Sequence, residues 1–325
     1  MNRYFRIVEA EGIMPNIKVF SGSSNPRLAE AVCKQLEQPL GRVAISRLES
    51  GEIHVSYEES LRNCDIFIVQ SLSHPVNEHL VELLVMIDAA KRASAKSINI
   101  VMPYYGYARQ ERKSAPREPI SAKMVADVLT TVGSDRIITV DLHADAIQGF
   151  FKITVDHLTA LDLIIDYLRS KSIRNPVVVS PDAGRATTAE KLAGLLDCPF
   201  AIMIKNRPAH NQSEITHIIG EVGGMTPIII EDLIDTGSTI VNVVEALKKR
   251  GAEDAFICAT HGLFSENAVQ KLTHPNIQEV VITDTISLDQ EHSDKFIVLP
   301  MAPLLGTAIK IITEGGSIAT LFKSE

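Results

Sequence analysis

The 325 residues, 45% of them hydrophobic, exceed what one core usually encloses and suit two domains. A formal net charge of -8 argues against nonspecific attraction to nucleic acid or anionic membrane. No apolar run reaches membrane-span length, and residues 1–6 lack the apolar stretch of a secretory signal, so a cytoplasmic location is expected.

Residues 1–15 form an extension with no readable role. From there, apolar strand-like runs at 17–20, 66–70, 98–102 and 137–140 alternate with helical patterns at 25–36, 77–93 and 121–132. A second series follows. It has helical patterns at 161–169, 187–196 and 239–250, and strand-like runs at 177–180, 200–204, 228–230, 255–260 and 280–283. Strands apolar on both faces, separated by helices, predict an α/β protein with two doubly wound parallel-sheet domains meeting near residue 158. The halves echo each other weakly: His143 follows Gly133, and His261 follows Gly251, by ten positions in each case. Cys33, Cys64, Cys198 and Cys258 have no zinc or redox spacing and read as reduced core residues.

The most informative stretch is Ile228-Ile229-Ile230-Glu231-Asp232-Leu233-Ile234-Asp235-Thr236-Gly237-Ser238-Thr239. A buried strand leads into two adjacent carboxylates and then a small-residue loop opening a helix. The backbone N–H groups of Thr236, Gly237, Ser238 and Thr239 can converge on one anion, because a helix start leaves them unpaired and partly positive. Glu231 and Asp232 stand where vicinal sugar hydroxyls could hydrogen-bond to carboxylate oxygens. The pattern suggests ribose 5-phosphate. The bland alternative is an ordinary turn in which Asp235 or Ser238 caps the helix.

This string resembles the phosphoribosyl-diphosphate loop of ribose-phosphate diphosphokinases (PRPP synthetases). So, in the same order, do Tyr104-Tyr105-Gly106-Tyr107-Ala108-Arg109-Gln110, Arg117-Glu118-Pro119-Ile120-Ser121, Thr139-Val140-Asp141-Leu142-His143 and Gln148-Gly149-Phe150-Phe151. The resemblance implies two similar domains of the type I phosphoribosyltransferase kind, 1–158 and 159–316, with a lid at 104–119. It also implies a terminal segment, 317–325, returning to the first domain, with 317–322 as a strand. The implied reaction passes the diphosphoryl group of Mg-ATP to the anomeric hydroxyl of ribose 5-phosphate, giving PRPP and AMP. His143 and Asp182 match the family's magnesium site, and His143 with Arg109 and Gln110 its ATP contacts. Lys205 and Arg207 match the basic pair that cradles the transferring phosphates. Glu231, Asp232, Asp235, Thr236, Gly237, Ser238 and Thr239 match its ribose 5-phosphate site. Ser50 and Glu52 fall in the segment handed to a neighbouring subunit's adenine pocket, within a homohexamer. A plain phosphoribosyltransferase leaves the lid and His143 unexplained.

Four positions depart from the family pattern. Leu48 and Ser50 stand where it has Phe and then Asp or Asn, removing a stacking face worth on the order of 1 kcal/mol. Arg185 replaces a glycine and Thr188 an arginine. Arginine at 185 would cost roughly 1 kcal/mol or more if φ were positive there. These changes raise a second reading, a catalytically weak paralogue that modulates an active synthetase.

Overall fold

A computed structural model describes residues 16–209, 212–288 and 293–321, with side chains throughout except at 205–209 and 212–216. Residues 1–15 and 322–325 therefore lie outside the described residues.

The first half opens with β1 (Ile17–Ser21) and α1 (Pro26–Gln35). The Asn25 side chain starts this helix by accepting the Leu28 N–H at 3.2 Å, and Pro26 occupies its first turn. A hairpin of β2 (Val43–Arg47) and β3 (Ile53–Tyr57) follows, then β4 (Asp65–Val69), α2 (Val76–Arg92), β5 (Ser97–Val101), α3 (Ser121–Val132), β6 (Arg136–Val140) and β7 (Thr154–Leu158). β1, β4, β5, β6 and β7 make one parallel sheet in that order. Side chains alternate between its faces. Phe20, Ile66, Ile68, Ile100 and Ile137 pack under α2, α3 and the hairpin, while Val19, Phe67, Val69, Val101 and Ile138 pack under α1.

The second half runs α4 (Leu161–Ser170), β8 (Pro176–Ser180), α5 (Ala186–Leu196), β9 (Phe200–Ala209), β10 (Gln212–Ile219), β11 (Thr226–Ile234), α6 (Ser238–Lys249), β12 (Ala255–Gly262), α7 (Ala268–Leu272), β13 (Ile277–Thr283), β14 (Phe296–Leu299) and α8 (Ala302–Thr313). Its sheet has the order β10-β9-β8-β11-β12-β13-β14, parallel except for the edge strand β10. The strand order reverses at β8, with β9 on one side and β11 on the other. The crevice beyond the carboxyl ends of β8 and β11 is thus a topological switch point, the usual place for a ligand.

The expected α/β class with two parallel-sheet domains is what the chain forms. Several elements are absent from the alternation read off the sequence. The β2–β3 hairpin alternates Ile53, Val55 and Tyr57 with His54 and Ser56, a half-exposed pattern rather than a buried run. The return to the first domain also begins earlier than residue 317. α8 covers the free part of the first sheet beside α1, and Leu305 and Ile309 enter that core. Gly306 makes the close crossing possible, since a Cβ there would lie 2.6 Å from Gln35 Cγ. Residues Ile318–Leu321 form a short 3-10 turn against the same core, not the expected strand: the Thr320 N–H and hydroxyl both turn back onto the Ser317 carbonyl, at 3.2 and 2.8 Å.

The carboxyl ends of the two sheets meet. His261, at the end of β12, donates from Nε2 to the Val140 carbonyl at 3.1 Å and accepts the Thr285 hydroxyl at Nδ1 (2.9 Å). Thr260 donates to Asp141 Oδ2 at 2.6 Å. No helix among the described residues is long and apolar enough to cross a membrane.

Candidate active site

β11 carries its buried run directly into the acidic pair. Period-two alternation leaves Glu231 half-buried and turns Asp232 inward, at 7% exposure. The strand ends at Ile234, and Gly237 turns the chain with φ +71°, a conformation that favours glycine, so that α6 starts at Ser238. This turn and its neighbours line a cavity of about 640 Å³. Around it stand Glu231, Asp232, Asp235, Thr236, Gly237 and Thr239 from the loop, His143 from the end of β6, and Asp182 from the end of β8. Arg109 and Arg112 reach it from the lid. The free N–H groups of α6's first turn face the same region by the geometry of a helix start.

Asp232 is the centre of the polar network. Its Oδ2 accepts His143 Nδ1 at 2.6 Å and the Arg185 guanidinium at 2.5 Å. Burial pushes this carboxyl up, but the His143 hydrogen bond and the charges of Arg185 and His143 outweigh it and hold it below its ordinary value. Asp235 behaves alike: burial raises it, while hydrogen bonds from Ser265 and Arg109 bring it below its ordinary value. The Arg109 bond, 2.6 Å from Nη1 to Asp235 Oδ2, ties the 104–119 segment to the loop after β11 across the two domains.

The 104–119 segment carries local order of its own. Residues Ala108–Gln110 make a 3-10 turn, and Glu118 closes the other arm by accepting the Ser114 and Ala115 N–H groups. Gln110 accepts the Ser121 hydroxyl and lines a neighbouring cavity of about 460 Å³ with Tyr104, Tyr107 and Arg109.

Asp182 starts the turn into α5, its Oδ1 accepting the Gly184 N–H at 2.9 Å. Arg185 follows with φ -104°, so the strain that a positive φ would have imposed on arginine does not arise. Thr188 faces a second cavity of about 630 Å³ on the other side of Arg185 and Asp232.

Other expected residues lie apart. Ser50 and Glu52 sit at the tip of the β2–β3 hairpin, hydrogen-bonded to each other at 2.6 Å and outside the lining of the large cavity; Leu48 beside them is 51% exposed. Lys205 and Arg207 lie on β9, but their side chains are outside the described residues. Ser238 is also absent from the cavity lining, its hydroxyl turned instead to Lys271.

That lysine was not legible as a site residue. From α7 its Nζ donates to the Thr236 carbonyl at 3.2 Å and to Ser238 Oγ at 2.9 Å, bracing the loop from behind. A lone lysine in a helical pattern carries no signal of such a role. His261 appeared only as the repeat-mate of His143, and it proves to be a buried clamp. Burial holds its imidazole below its ordinary pKa, against the opposing pull of Asp141 and Asp232.

Among the described residues, no group of three or more His, Cys, Asp or Glu side chains could hold a metal. His143 and Asp182 nonetheless line one cavity, which suits an ion bound largely through water and a polyphosphate rather than in a protein cage.

Comparison with known proteins gives a consistent result. Residues 17–133 match the family model described as the N-terminal domain of ribose phosphate pyrophosphokinase, and residues 201–323 that of the phosphoribosyl synthetase-associated domain. The ribose-phosphate pyrophosphokinase of Bacillus cereus is 49% identical over 308 residues, covering 94% of this chain and 97% of the relative. That of Corynebacterium ammoniagenes matches with the same identity and coverage. The crystal structure of phosphoribosylpyrophosphate synthetase from Mycobacterium smegmatis is similar with a TM-score of 0.88 and 43% identity, over 93% of this chain and 100% of that one.

Proposed function

Since the chain belongs to the ribose-phosphate pyrophosphokinase family, we infer that it transfers the diphosphoryl group of ATP to the anomeric hydroxyl of ribose 5-phosphate, releasing AMP. The observation that carries this reading is the single cavity in which the acidic strand end and phosphate loop of 231–239 face His143, Asp182 and the lid arginine Arg109.

On this reading the work divides as follows. The first turn of α6 and the 236–239 loop hold the 5-phosphate, while Glu231 and Asp232 accept the ring hydroxyls, which fixes the anomeric oxygen in place. That oxygen bonds to the β-phosphorus as the bond from the β-phosphorus to the α-phosphate's bridging oxygen breaks; AMP departs with the electron pair, and the hydroxyl's proton is released to solvent. Lys205 and Arg207, on a strand beside β8, meet the charge that spreads over the transferring group, as a point charge and a planar fork. Arg109 and Gln110 bind ATP, and closure of the basic lid over it excludes water. His143 and Asp182 would hold magnesium, which supplies neutralisation of polyphosphate charge. The hairpin tip carrying Ser50 and Glu52 stands away from this chain's own cavity, which supports its delivery to a neighbouring subunit within a homohexamer.

The purified chain, given Mg-ATP and ribose 5-phosphate, should form PRPP and AMP in equal amounts. Absence of both, with magnesium and phosphate present and over a range of nucleotides, would overturn the assignment.

A further inference from the structure

Arg185, on the turn between β8 and α5, is used by no step above. Its guanidinium lies 2.5 Å from Asp232 Oδ2 and donates to the His143 carbonyl at 3.4 Å, with the side chain 19% exposed. The same Oδ2 accepts His143 Nδ1. Loops from the ends of β6, β8 and β11 are therefore tied at one oxygen, across the two domains. A carboxylate as buried as Asp232 is costly without such partners. With both donors on one oxygen, the lone pairs of the other oxygen remain for the hydroxyls of a sugar. Asp141, at the same junction, is engaged elsewhere: its Oδ2 accepts the Ala160 N–H and the Thr260 hydroxyl, while the Arg185 guanidinium lies on Asp232. Arg185 also stands in the wall shared by the cavities of about 640 and 630 Å³.

We propose that Arg185 is a positioning residue for sugar recognition: it locks Asp232 in the orientation that presents its second oxygen to the ribose hydroxyls and straps the His143 loop to the same point. This rests on the ribose 5-phosphate reading of the site. The opposite role is equally definite. An arginine standing where a glycine serves better would plug the carboxylate that the sugar needs.

Calorimetric titration of ribose 5-phosphate alone, with steady-state kinetics for both substrates, separates the two on wild type, Arg185→Gln, Arg185→Lys and Arg185→Gly. Loss of a charged, buried hydrogen-bonding partner should weaken ribose 5-phosphate by about tenfold or more in the Gln and Gly variants, with the ATP KM within about twofold. Lysine restores the cation and should recover affinity to within about threefold of wild type. Affinity unchanged or tighter in Arg185→Gly overturns the proposal. So does a parallel rise of both KM values in which lysine is no better than glutamine, since that pattern reports only a loosened turn. Binding is read without turnover, so a wild-type chain that binds the sugar phosphate yet forms no PRPP overturns the reaction and not the role of Arg185.

Discussion

The first sheet adds its strands in one direction, β1 through β7, whereas the second begins at an interior strand, β8, and places β9 and β11 on its two sides. The second therefore contains the crevice that a strand-order reversal opens between diverging loops, and there Asp182 and the 231–239 segment stand together. The first sheet contributes from a distance, through His143 beyond β6 and the lid beyond β5. It also leaves part of its second face for α8 to cover. The proposed binding residues gather where strand order reverses, and the other half supplies arms that reach across and a surface on which the returning chain docks.

The sharpest way to break this division is at β9, beside the reversal. Lys205→Ala should cost about 3 kcal/mol of transition-state stabilisation, because charge that develops only during transfer loses its partner. Ribose 5-phosphate binding should stay within a few fold. Equal losses in binding and turnover would remove the lysine from that role.

The first sheet's dependence on the returning helix can be tested by stability instead. Leu305 is fully buried between α8 and the sheet, so Leu305→Ala should destabilise the protein by about 2–5 kcal/mol in denaturant unfolding. A change under 1 kcal/mol would show that α8 is dispensable to that core.

At the junction, His261 is held neutral by burial, with its folded pKa below the ordinary value of about 6.5. The unfolded chain then binds more protons between those two values. The stability this group contributes is complete above about pH 6.5 and is lost as pH falls toward the depressed value. His157, also lowered chiefly by burial, adds in the same direction. Unfolding midpoints should fall from pH 7.5 to 5.5, and His261→Gln should reduce that slope while lowering stability at pH 7.5. An unaltered slope would rule out the clamp as a source.

The smallest effect is expected behind the phosphate loop. Lys271→Met removes the bonds to the Thr236 carbonyl and Ser238 Oγ, worth about 1–2 kcal/mol, and should raise the ribose 5-phosphate KM several fold with little change in that for ATP. A larger rise for ATP would place the nucleotide, not the sugar phosphate, in this loop.

Local pattern was enough to read the alternating apolar runs as parallel strands, because strands buried on both faces leave continuous apolar stretches. It was also enough to single out 231–239 as a candidate phosphate and sugar site, because helix-start donors and paired acids are contiguous in sequence. Asp182 and His143 were singled out by the family resemblance. The half-exposed hairpin and α8 escaped notice: one lacks a buried run, and the other's apolar surface could not be allotted to a particular core from sequence alone.

Sequence by itself determined the α/β alternation and the placing of paired acids before a small-residue helix start, since each depends on residues adjacent along the chain or on one element's periodicity; the groups proposed to serve the transfer came from the family resemblance. Tertiary structure alone decided that Arg185 has an unstrained φ, that it meets His143 on Asp232, that Lys271 braces Ser238, and that His261 fastens the two sheets end to end. Those contacts join residues 33 to 121 positions apart, and their existence depends on how loops from separate strands converge, which no local spacing encodes.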